Sequence, residues 1–135
     1  MHYALTWGGD PEDLRITTSG VASVEDLDAM MREAVADPRW HDGMKILTDH
    51  SQTDWAVLGA GDLRRRGAQL GDMADAIGHQ QLAFVLGKVL DREIAKTLAR
   101  FVGSNVGIVA KTFTSLDEAR AWLRREPDLA DVDFP

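Results

Sequence analysis

The chain reads as a single α/β domain, a mixed five-stranded sheet packed with about four helices. The sheet is expected to open with an antiparallel hairpin and continue in parallel strands. Three observations predict it. Two short segments of alternating polarity stand next to each other at the start of the chain. Apolar runs then alternate with segments of helical period, which implies parallel crossovers. The run Leu82-Ala83-Phe84-Val85-Leu86 is continuously apolar, as suits a strand covered on both faces. The expected order is β-β-α-β-α-β-α-β-α.

In the first strand Tyr3, Leu5 and Trp7 alternate with His2, Ala4 and Thr6, the period of a half-buried strand. Gly8-Gly9-Asp10-Pro11 supplies turn chemistry, and Leu14, Ile16 and Thr18 then alternate with Arg15 and Thr17 up to Gly20. Ser23 is placed to cap the first helix, with Glu25 and Asp26 near its positive end. Val24, Leu27, Met30, Met31, Ala34 and Val35 form its apolar stripe, and Pro38 stops it. Met44 to Thr48 makes a third strand, followed by a polar and aromatic loop from Asp49 to Gly61.

From Asp62 the helical period returns in Leu63, Leu70, Met73, Ala74 and Ile77, with Gly78 as a C-terminal cap. Leu90, Ile94, Leu98, Phe101 and Val102 mark another helix ending near Gly103, and Val106 to Phe113 a fifth strand rich in β-branched residues. Ser115-Leu116-Asp117-Glu118 has the capping-box spacing, serine at N-cap and glutamate three residues on. The helix behind it buries Leu116, Ala119, Trp122 and Leu123. Residues 1–126 form the domain, and 127–135 an acidic tail that either frays or docks through Leu129, Val132 and Phe134.

The formal net charge of −7 argues against a general nucleic-acid or anionic-membrane binder. Arg64-Arg65-Arg66 is a short basic run that reads as a solvated helix face. There is no cysteine, which excludes disulfides and thiolate chemistry and suits a reducing cytoplasm. The first residues lack the layout of a signal peptide, and no apolar run approaches the ~20 residues of a membrane span.

No catalytic residue is assigned. Asp49, His50, Ser51 and Asp54 contain the residue types of a catalytic triad, but four polar residues in one loop more often cap helices and make Asx turns. His2, His41, His50 and His79 are scattered, so no metal site is assigned, and no cofactor is expected. Gly59-Ala60-Gly61 lacks the rest of a phosphate loop. Lys88, Asp91 and Arg92 lie just beyond the end of the central strand, where ligands bind in open parallel sheets, although Asp91 also suits a helix cap. Trp55, next to Leu58 in the loop, either walls a pocket or packs over the sheet.

The element order, with four stretches of sequence, resembles the STAS-like domains, in particular the bacterial group similar to the anti-sigma-factor antagonist. Those stretches are Leu14 to Gly20 before the capped helix, Ile46-Leu47-Thr48-Asp49, Leu82 to Lys88, and Val109 to Phe113 followed by Glu118-Ala119-Arg120-Ala121-Trp122-Leu123. The resemblance implies a single STAS-like domain with a regulatory or binding role. In the phosphorylated antagonists a serine stands in an Asp-Ser-Ser-Gly-like motif after the third strand. The stretch Asp49-His50-Ser51-Gln52-Thr53-Asp54-Trp55-Ala56 does not reproduce it, which disfavours a phosphoswitch at Ser51 or Thr53.

The first functional expectation is thus a non-catalytic domain that recognises a partner protein. The expected ligand- or partner-binding residues are Asp49, His50, Ser51, Thr53, Asp54, Trp55, Lys88 and Arg92. Replacing Trp55 by alanine is expected to weaken partner capture without unfolding. The alternative is a carrier or sensor of a small apolar, lipid-like ligand held between sheet and helices. The resemblance suggests it through a loose link to the CRAL-TRIO lipid-transfer proteins, and Met30, Met31 and Met73 would be flexible walls. An enzyme ranks last. STAS-like domains also pair in some settings, so a homodimer through the hairpin is open.

Overall fold

A computed structural model describes residues 1–87 and 108–126. The expected helix around residues 90–102, the start of the last strand, Lys88, Asp91, Arg92 and the acidic tail lie outside the described residues. The elements are β1 (His2–Trp7), β2 (Leu14–Val21), α1 (Val24–Ala36), β3 (Met44–Asp54), α2 (Ala60–Asp72), α3 (Ala74–Ile77), β4 (Gln80–Val85), β5 (Ile108–Phe113) and α4 (Leu116–Leu123). The protein is an α/β domain with a five-stranded mixed sheet in the order β1-β2-β3-β4-β5.

β1 and β2 form the antiparallel hairpin, with Tyr3 opposite Thr18, Leu5 opposite Ile16 and Trp7 opposite Leu14. The remaining neighbours are parallel, with Ile46 beside Leu14 and Leu82 beside Ile46. β3 is therefore central and covered on both faces. On one side Ile46 and Leu82 join Leu14 and Ile16 under Leu27, Met30 and Ala34 of α1. On the other, Leu47, Ala83 and Val85 meet Ala119, Trp122 and Leu123 of α4. A third cluster, Met31, Met73 and Ile77 with Val35 and Leu70, packs α2 and α3 beside α1.

The helix ends follow local chemistry. The Ser23 hydroxyl accepts the Asp26 amide at 3.2 Å, and the Ser115 hydroxyl accepts the Glu118 amide at 3.4 Å. α1 stops at Ala36, with Asp37 extended before Pro38. The ammonium of Lys45 donates to the carbonyls of Leu123 and Arg125, which closes the end of α4. Gly78 ends α3 at φ +71°, and the Asp42 carboxylate fills the space where a side chain would stand.

The structure departs from two expectations. The helix beginning near Asp62 starts at Ala60 and breaks at Met73 into α2 and α3. The stretch expected as a loop from Asp49 is strand as far as Asp54. Its polar composition hid that, because β3 there serves two polar surfaces in place of an apolar core.

Gly87 sets the far end of β4. A Cβ at this position would stand 2.9 Å from the Ser51 carbonyl oxygen, a backbone atom of the neighbouring strand. Gly87→Ala should therefore lower stability by about 1–3 kcal/mol, the usual cost of overpacking. Urea unfolding of the two proteins checks this, and equal midpoints would show that the two strands can separate freely there.

Candidate functional site

Near the ends of β2 and β3 the pairing gains a residue. Thr17 stands opposite Asp49, yet Ser19 stands opposite Gln52. An extra residue in β3 shifts its alternation by one. In a regular strand residues 50 and 53 would face opposite sides of the sheet. Here His50 Nδ1 and Thr53 Oγ1 each lie 2.5 Å from Thr18 Oγ1, on the side of α1 and α2. A threonine hydroxyl has one proton and two lone pairs, so Thr18 donates to at most one of these neighbours. The three side chains form a connected set of hydrogen bonds.

His50 is 3% exposed. The Trp55 ring meets it edge-on with centroids 4.8 Å apart, and Phe84 stacks on it at 6.0 Å. Burial pushes its pKa down from 6.5 to about 3; the Arg66 charge adds to that, and Asp49 opposes it. The imidazole is neutral at physiological pH. Arg66, 5% exposed, is held down to about 10 by burial, with Asp28 opposing. It remains a cation. Its Nη1 and the indole Nε1 of Trp55 are buried without a hydrogen-bond partner.

The other face carries a separate set of charges. Asp49 Oδ1 accepts the Ser51 hydroxyl at 2.6 Å and the Ser51 amide at 3.0 Å. Asp49 Oδ2 lies 3.9 Å from Arg15 Nη2. Further along, the buried carboxylate of Glu12 takes Arg120 in a two-pronged pair at 3.0–3.3 Å, tying α4 to the β1–β2 connection.

Asp49, His50 and Ser51 are thus adjacent in sequence but do not act together. Asp49 and Ser51 bond to each other on the α4 side, and His50 bonds to Thr18 on the α1 side. Among the described residues no carboxylate is hydrogen-bonded to the histidine, and a base with a pKa near 3 gains little from a neighbouring hydroxyl. The arrangement orients a strand end and gives no proton relay. Among the described residues no three His, Asp or Glu side chains come together as a metal site.

Among the expected site residues, the structure brings His50 and Thr53 together and places Asp49 and Ser51 back to back with them. Asp54 is exposed and accepts the Ala56 amide at 3.0 Å, opening the turn into α2. Trp55 is 7% exposed, with its ring in the core cluster beneath that turn. It is a packing residue, not a surface anchor. The three arginines divide: Arg64 is exposed, Arg65 pairs with Glu25 at 2.7 Å, and Arg66 is buried.

Thr18 reads only as part of the strand alternation, and the expectation of Arg66 on a solvated helix face is overturned by its burial, although each left a signal. Thr18 continues the buried alternation of Leu14 and Ile16. Arg66 stands three residues after Leu63 and four before Leu70, inside the apolar stripe of α2. Glu12 and Arg120, 108 residues apart, left none. A depression of about 180 Å³ lies on the hairpin, lined by His2, Tyr3, Ala4, Thr17, Thr18 and Ser19. Met30, Met31 and Met73, expected as flexible walls, are buried in the packed clusters.

Compared with family models, with curated proteins and with solved structures, the chain matches none.

Because the folded pKa of His50 lies below its unfolded value of 6.5, its contribution to stability is complete above pH 6.5 and is lost as pH falls toward 3. The loss should reach about 2 kcal/mol by pH 5. His50→Gln should flatten that part of the profile in urea unfolding measured between pH 7.5 and 5. Parallel profiles would mean that other groups take up the proton. Trp55→Ala should destabilise by about 3–5 kcal/mol. An unchanged thermal midpoint would show that the indole is not part of the core.

Proposed function

We propose that the chain is a non-catalytic recognition domain of the STAS-like type, and that it takes a partner protein at the end of the sheet where β2 and β3 finish. One observation carries this reading. From Trp55 to Gly61 the chain runs Trp-Ala-Val-Leu-Gly-Ala-Gly without a charged side chain, and most of the run is open to solvent. Val57 in this turn is 57% exposed, and Val21, which pairs with Asp54 at the end of β2, is 52% exposed.

Single exposed valines are ordinary on a protein surface. These two stand at the same end of the sheet, beside the start of α2, where the Asp62 carboxylate accepts the Gly59 amide at 3.0 Å. The buried layer beneath, from Trp55 to His50 and Thr18, fixes the height and direction of the turn. An apolar tip on a rigid support suits recognition better than catalysis, because it loses little entropy on docking. The net charge of −7 favours a partner with a basic surround.

The same element order, β-β-α-β-α before the central apolar strand, supports the STAS-like assignment. Lack of cysteine supports a place in the cytoplasm, and the resemblance suggests a bacterial one. No helix among the described residues is long and apolar enough to cross a membrane.

Val57→Asp and Val21→Asp change exposed side chains and should leave the thermal midpoint nearly unchanged. Quantitative affinity capture from native extract, with wild type and variants side by side, tests the placement. The expected result is a protein retained by wild type and reduced at least about tenfold by either aspartate. Equal retention by all three proteins would remove this end of the sheet from the interface.

A further inference from the structure

We draw no further inference here: the strongest candidate, the seam between α1 and α2 where Arg66 Nη1, Trp55 Nε1, Asp28 Oδ1 and Gln69 Oε1 are buried without a hydrogen-bond partner, is closed over these atoms by the protein itself, and nothing in the structure shows what would enter it.

Discussion

The extra residue in β3 between Asp49 and Gln52 governs what the end of this sheet can be. Upstream, β3 alternates in step with its neighbours and gives Ile46 to α1 and Leu47 to α4. Downstream, the shifted alternation brings Thr53 round to the side already occupied by His50. Thr18 then bonds both. The same irregularity brings the Ser51 carbonyl against residue 87, where only a glycine leaves room. Helix α2 begins where this rearranged strand releases the chain, so the turn from Trp55 to Gly61 is aimed by the bulge.

Placing polar side chains at that point has an electrostatic cost that the surrounding groups share out. His50 avoids the cost of a buried charge by remaining neutral, which burial enforces and the Arg66 cation reinforces. Arg66 keeps its charge, with Asp28 across the α1–α2 seam as the opposing group. A buried charge of this kind adds little net stability against an apolar replacement. Arg66 Nη1 and Asp28 Oδ1 are both buried without a hydrogen-bond partner, so the two charges oppose each other across the seam without a direct bond. Arg65, paired with Glu25 at 2.7 Å, ties α2 to α1 at the surface.

The sheet and most helices were legible because their apolar residues carry the period of the element. Tyr3, Leu5 and Trp7 read as a strand and are one; Ser23, Pro38, Gly78 and Ser115 mark boundaries that hold. Residues 49–54 were not legible as strand. A bulge has no apolar signature, and the buried polar residues there, His50 and Thr53, bond through Thr18 of the neighbouring strand. The candidate site was half visible for the same reason. His50, Thr53 and Trp55 stood out by type, but which face each one served depended on a register shift that only pairing with β2 defines. Glu12 and Arg120 meet through the tertiary fold alone, and neither carries a local pattern that points to the other.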